Sequence, residues 1–229
     1  MFDRPPYYRL RNGQPAGGFL LDLSLAVLDH SAIPYVVREL PAARVTATFA
    51  NEVVNACGTG WFRTPEREGF ARFSTPLYQD RPLVAAVNAS AGACPESTTL
   101  ARLLDEKKHW GLRGGFSYGP AIDARLAALP DDRIHRFNDA AAMLALVARG
   151  RLDAMLIEPE ELAWLVGRHP EYAGTVCALA LEDAPPGNGR HIMCDASVSP
   201  DTMARIDAAI VEFVGEDAQR ARCLVALRH

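Results

Sequence analysis

The chain has 229 residues, enough for one large domain or two lobes of about 100 residues each, and its 49% hydrophobic and 23% charged content describes an ordinary globular protein. Against 24 Lys plus Arg stand 28 Asp plus Glu, a net charge of −4 with no long basic run, which argues against nucleic acid as a partner. No apolar stretch reaches the roughly 18 residues a membrane helix needs, and residues 1–10 lack the layout of a signal peptide; if the protein is exported, its signal has been removed.

The opening Arg-Pro-Pro-Tyr-Tyr-Arg-Leu reads as extended, stopped by Asn12-Gly13 and Gly17-Gly18. Phe19 to Leu28 then make a broad apolar helical face, followed by a strand signal at Ile33-Pro34-Tyr35-Val36-Val37. An amphipathic stretch near 41–53 leads to a strand over Val54–Gly60. In the segment after it, Thr64 reads as a helix N-cap, Pro65 as the first helical residue and Glu66 as a first-turn acid. Arg67 falls in that same first turn, where a helix dipole opposes a cation by roughly 0.3 to 1 kcal/mol; a bound carboxylate would offset the cost. The plain alternative is a surface helix with a solvated arginine.

Arg81–Asn88 carries the next strand signal. A helix near 98–106, a strand at 110–114, a helix from about 119 and a strand at Arg133–Phe137 follow. Asn138 and Asp139 are cap candidates for a helix over Ala140–Arg149, which Gly150 ends. Leu152–Ile157 is a buried-strand signal, and Glu158-Pro159 opens another helix. The segment Ala184–Gly189 has the composition of a linker, and a strand at His191–Cys194 and a helix over Pro200–Val214 complete the chain. Alternating strands and helices predict an α/β fold with parallel sheets.

Several residues are candidates for chemistry. Gly115-Phe116-Ser117-Tyr118-Gly119 fits the Gly-x-Ser-x-Gly nucleophile elbow, with Glu158 or Asp153 and then His191 in the chain order of a hydrolase triad. The preceding Lys-Lys-His-Trp-Gly-Leu-Arg is polar for the central strand an elbow needs, and the other reading is an anion-binding turn in which Ser117 caps a helix. Glu158 should stand at the carboxyl edge of its sheet, where open α/β sheets bind ligands; its bland reading is a first-turn acid that complements a helix dipole. Tyr7, Trp61, Tyr8 and Phe116 are ring surfaces for a ligand or members of the core. Six histidines and five cysteines (57, 94, 177, 194 and 223) show no zinc spacing, so no metal or cofactor is implied; an odd cysteine count leaves at least one thiol unpaired within the chain, and buried free cysteine is the default.

Together, Arg4-Pro5-Pro6-Tyr7 with Gly17–Leu23, Thr64-Pro65-Glu66-Arg67 with Phe73–Tyr78, Gly114–Gly119 and Gly150–Glu158 resemble the bacterial extracellular solute-binding proteins of family 3, nearly end to end. The resemblance implies a two-lobed, type II periplasmic-binding-protein fold with two crossover strands: lobe 1 from 1–84 and 190–229, lobe 2 from 85–189, the ligand held in a cleft between them and hinges near 82–90 and 184–191. It implies a non-enzymatic, periplasmic, monomeric receptor that passes an amino acid or related organic acid to the membrane subunits of an ABC transporter. Arg67 would bind the ligand carboxylate, Ser117 would add a hydrogen bond to it, and Glu158 would hold the amino group, with Tyr7, Trp61 and Phe116 around the ligand. It also sets Cys57 beside Cys194 on adjacent strands, where a disulfide is possible. The chain departs from the family pattern at Gly60-Trp61-Phe62, where small hydroxylated residues are usual, and at Glu158, where Asp is frequent. Rival readings are a serine hydrolase using Ser117, an amino-acid-type dehydratase on the same fold, and a periplasmic sensor.

Overall fold

The computed structural model describes residues 4–12, 14–89 and 94–214, which form two compact α/β units. Unit 1 comprises Met1–Gln79 and Gly189–His229, and unit 2 comprises Asp80–Asn188.

Unit 1 opens with a small ribbon, β1 (Leu10–Arg11) against β2 (Gln14–Pro15), and then α1 (Phe19–His30). Gly18, at φ 120°, is the α1 N-cap, and a Cβ there would run into the Tyr7 backbone, so the glycine lets the helix start against the opening segment, which turns at residues 5–7 and closes on an Arg4–Tyr8 bridge instead of running extended. Leu21 N–H donates to the Tyr7 carbonyl at 3.1 Å and seats the helix there. Helix α2 (Ala42–Asn51) follows, then β3 (Cys57–Phe62), the single turn α3 (Pro65–Glu68), β4 (Ala71–Phe73) and β5 (Tyr78–Gln79).

The predicted strand at Ile33–Val37 does not form. Pro34 lacks a ladder donor, and Val36 is 80% exposed. Side chains hold this stretch instead: Tyr35 donates to Asp29 at 2.9 Å, and Arg205 donates to the carbonyls of Ser31 and Ala32 at 2.7 and 3.0 Å.

In unit 2, β6 (Val84–Asn88), β7 (Ser97–Thr98), α4 (Leu100–Asp105), β8 (Trp110–Arg113), α5 (Pro120–Ala127), β9 (Ile134–Phe137), α6 (Ala140–Ala148), β10 (Ala154–Ile157), α7 (Pro159–Arg168) and β11 (Val176–Leu181) follow in turn. They build one six-stranded sheet in the order β7-β11-β6-β10-β8-β9. Helical crossovers make β8, β9 and β10 parallel neighbours, as expected. However, β6 runs antiparallel to both β10 and β11, so the sheet is mixed. Strand β11 was not anticipated from the sequence. Its outward positions are Ala178 and Ala180, which carry little β signal.

The central strands β6 and β10 of the unit 2 sheet are covered on both faces, and the pleat assigns each residue to one of them. Ala85, Leu112, Ala154, Leu156 and Leu179 pack with Leu100, Leu103, Ile122 and Leu126 of α4 and α5; Ala86, Met155 and Ile157 pack with Met143, Leu144, Val147 and Leu162 of α6 and α7. Each buried leucine contributes about 1.5 to 3 kcal/mol. Asp139 is the α6 N-cap and accepts from Ala141 and Ala142 N–H at 3.1 and 3.2 Å. Asp183 accepts from Leu100 and Ala101 N–H at the start of α4 and pairs with Arg125 at 2.7 Å. Burial pushes its carboxyl up, but these hydrogen bonds and the guanidinium hold it below the ordinary range. The stabilisation is therefore present above the ordinary Asp value and is lost as pH falls through the depressed one.

The chain returns to unit 1 as β12 (Gly189–Asp195) and ends its described course in α8 (Pro200–Val214), which packs on α1. β12 runs antiparallel to β3 on one side and to β4 and β5 on the other. Cys57 and Cys194 are directly opposed in the β3–β12 ladder and form a disulfide, with Cα atoms 4.0 Å apart. Cys94 and Cys177 form a second, with Cα atoms 5.9 Å apart. These four are thus not the buried free thiols of the default reading; Cys223 lies outside the described residues. Two disulfides use four of five cysteines, so denaturation without reductant should expose one thiol per chain in a colorimetric count, whereas three or five would contradict the pairing.

Candidate functional site

Unit 1 gathers its candidate residues on β3 and the turn after it. Thr64 is the N-cap of α3, its hydroxyl accepting from Arg67 N–H at 3.4 Å, and Pro65 is the first helical residue, as the sequence predicts. The helix is a single turn, so it sums few peptide dipoles and opposes Arg67 less than a full helix would. What positions Arg67 is its own neighbourhood. The guanidinium lies over the Trp61 ring, 4.9 Å from the centroid, and Nη1 donates to the Phe62 carbonyl at 2.9 Å.

Trp61 takes this position because Gly58 has no side chain; a Cβ there would collide with the indole. Gly60 has φ 74°, and a Cβ on it would overlap the Tyr8 hydroxyl, which donates to the Thr59 carbonyl at 3.0 Å. The departure from the family pattern at residue 60 is thus a steric requirement of this chain's own packing.

Tyr7 is wholly buried, its ring flanked by Arg4 at 4.8 Å and Arg190 at 4.6 Å, with Phe19 at 4.9 Å. Arg190, itself 3% exposed, also lies over Phe62 at 4.7 Å and donates to the Gly60 carbonyl at 3.2 Å. Sequence reasoning did not single out Arg4 and Arg190, which pack against the candidate residue Tyr7. Arg4 stood inside a motif read only for its prolines and tyrosine; Arg190 becomes visible only once β12 is paired with β3, because Arg190 and Phe62 are then cross-strand partners.

In unit 2, Glu158 follows β10 directly and is buried, 7% exposed, at the N-cap position of α7. Its side chain makes no capping bond to the helix, although its N-cap position still sets the acid against the helix dipole. Glu161, one turn along, pairs with Arg113 at 2.9 Å, both side chains largely buried, and Arg113 lies over the Phe116 ring at 4.2 Å.

Ser117 donates to Asp123 Oδ2 at 2.5 Å and accepts from Gly119 N–H at 3.1 Å, while Tyr118 N–H donates to Asp123 Oδ1 at 2.8 Å. The N-cap of α5 is Gly119 at φ 97°, not Ser117. The hydroxyl proton of Ser117 is therefore directed to a carboxylate in the first turn of α5. His191, the candidate base, is buried in unit 1, where its Nδ1 donates to the Ser74 carbonyl at 2.8 Å. Asp153 accepts from His109 N–H at 2.7 Å. Among the described residues no group of three or more His, Cys, Asp or Glu side chains converges as a metal site, and no helix is long and apolar enough to cross a membrane.

No protein-family model and no curated protein sequence matches the chain. Solved structures do. One is a histidine kinase sensor domain with similarity to periplasmic binding proteins, at TM-score 0.75 and 15% identity over 97% of this chain and 92% of that one. The fold is that of the periplasmic binding proteins. The arginine-, lysine-, histidine-binding protein ArtJ from Geobacillus stearothermophilus matches this periplasmic-binding-protein fold at TM-score 0.73 and 16% identity, over 96% of this chain and 91% of that one. The substrate binding protein of an amino acid ABC transporter does so at 0.70 and 16%, over 96% and 93%. Each of the two compact units carries its own main sheet, four-stranded in unit 1 and six-stranded in unit 2.

Gly60→Ala tests the local account of the unit 1 site. The added methyl meets the Tyr8 hydroxyl and forces a β-carbon into left-handed backbone, which alone costs about 1 to 2 kcal/mol. Chemical denaturation should show a loss of at least that size, and parent-like stability would contradict the packing described.

Proposed function

We propose that the protein is an extracytoplasmic, periplasmic solute-binding protein that captures a small zwitterionic ligand, an amino acid, and delivers it as a monomer to the membrane subunits of an ABC transporter. The observation that carries the reading is a division of charge on a periplasmic-binding-protein fold: an arginine ledge in unit 1 and a buried acid at the carboxyl end of a strand in unit 2. Arg67, held by Trp61 and the Phe62 carbonyl, supplies a planar donor for the α-carboxylate. Glu158 supplies the acceptor for the ammonium. Tyr7, Trp61 and Phe116 contribute ring surface, and Ser117 shapes the 116–119 turn; to hydrogen-bond the carboxylate as well, its proton would have to leave Asp123.

Binding rather than catalysis is favoured by the partners of the elbow-like serine. Its hydroxyl is hydrogen-bonded to an aspartate instead of an imidazole, and the imidazole of His191 is engaged with a backbone carbonyl. A second reading, a sensor that reports to a signalling partner, draws on the likeness to a kinase sensor domain; the same ligand recognition serves both.

Isothermal calorimetry with the tightest-binding standard amino acid and its des-amino analogue tests the assignments. Arg67→Ala removes one partner of a charge pair, which typically costs about 2 to 5 kcal/mol, roughly thirty-fold to several-thousand-fold in Kd. Unchanged affinity would remove the carboxylate role. Glu158→Gln should weaken the amino acid strongly and leave the des-amino analogue nearly unaffected, since only the former presents an ammonium; equal losses for both would remove Glu158 from amino-group recognition.

A further inference from the structure

At the amino end of the parallel strands in unit 2, away from Glu158 at the carboxyl end of β10, two imidazoles meet. His109 immediately precedes β8, and His135 is the second residue of β9, in parallel register with Gly111. Their side chains are exposed, and His109 Nδ1 and His135 Nε2 lie 3.2 Å apart. Neither ring has a part in the proposed ligand recognition.

Both backbones are fixed. His135 is held in the β8–β9 ladder. His109 is clamped from two directions by Asp153, whose carboxylate accepts the His109 N–H at 2.7 Å and whose own N–H donates to the His109 carbonyl at 3.0 Å. The loop leading to His109 is braced by Arg133, which donates to the carbonyls of Lys108 at 3.1 Å, Leu104 at 2.8 Å and Glu106. Two exposed rings on separate strands thus face each other from anchored positions. The Asp153 carboxylate, beside the His109 backbone, places a negative charge close by.

We propose that His109 and His135 form a two-imidazole chelate for a divalent transition-metal ion, with Zn²⁺ the ion whose geometry fits best. A tetrahedral ion with metal–nitrogen bonds of about 2.0 to 2.1 Å separates two ligand nitrogens by about 3.3 to 3.4 Å, close to the spacing of the two facing nitrogens. Binding replaces the single hydrogen bond of the pair by two dative bonds, with each ring carrying its proton on its other nitrogen. Because no third protein ligand converges among the described residues, water completes the coordination shell, and the site is open and exchangeable rather than structural.

The test uses the full chain freed of metal. Calorimetry with Zn²⁺ should show one site that His135→Ala or His109→Ala weakens at least tenfold and that His169→Ala, a partly exposed histidine elsewhere on unit 2, leaves unchanged. Thermal unfolding of each variant checks that the fold is kept, as replacement of exposed rings predicts. A second readout is independent of variants: Ni²⁺ should selectively broaden the ring proton resonances of His109 and His135 in NMR spectra. No Zn²⁺ binding, binding of equal strength in His135→Ala, or Ni²⁺ broadening confined to other histidines would each overturn the proposal.

Discussion

The pairing of β3 with β12 is the constraint on which the unit 1 site depends. This ladder opposes Phe62 to Arg190, Trp61 to His191 and Cys57 to Cys194, and the disulfide closes a covalent loop across it. Such a bridge between residues 137 apart in sequence restricts the unfolded chain and fixes the register of the two strands at one end. At the other end the register decides which rings the arginines meet. Arg190 reaches Phe62 and Tyr7 because it stands opposite Phe62. Arg67 reaches Trp61 because β3 ends two residues before the Thr64 cap. A one-residue slip would turn these side chains to the opposite face and dissolve the arrangement.

Unit 2 reaches its site by a different route. Its central strands are apolar on both faces, so β10 reads as an uninterrupted buried run, and the first polar residue after it is forced to the strand's carboxyl edge. That residue is Glu158, and Pro159 begins α7 at once, which keeps the acid at the junction. Nearby, the turn after β8 spends its polar groups on itself: Ser117, Tyr118 and Gly119 are organised around Asp123, and Arg113 is organised around Glu161 and Phe116. The serine motif is accounted for by turn geometry without invoking a nucleophile.

What was legible in the sequence was what local chemistry decides. The Thr64 cap with Pro65, the Asp139 cap of α6, the buried run of β10 and the position of Glu158 all follow from residue types within a few positions of one another. What was not legible depends on distant pairing. Val36 has strand composition, but no partner strand lies beside it, and Pro34 interrupts its donors. β11 has little strand composition, yet β6 and β7 flank it. Arg190 follows the linker-like 184–189 segment and has no local signal of its contacts, which depend on its cross-strand partner, and the Cys94–Cys177 bridge has no local signature either. The antiparallel course of β6 likewise follows from its neighbours in the sheet, not from the alternation of helices and strands.

The central claim is that this fold, with these charges, holds a small zwitterion. A thermal-shift series across the standard amino acids and matched small organic acids addresses it most directly, because a ligand bound only by the folded state stabilises by mass action. At a hundred times its Kd that amounts to about 2.7 kcal/mol, a rise of several degrees in Tm for a chain of this size. The account predicts such a rise for at least one amino acid and little or none for its counterpart lacking the amino group. A flat response to every amino acid, or a larger rise with des-amino acids than with the amino acids themselves, would contradict it.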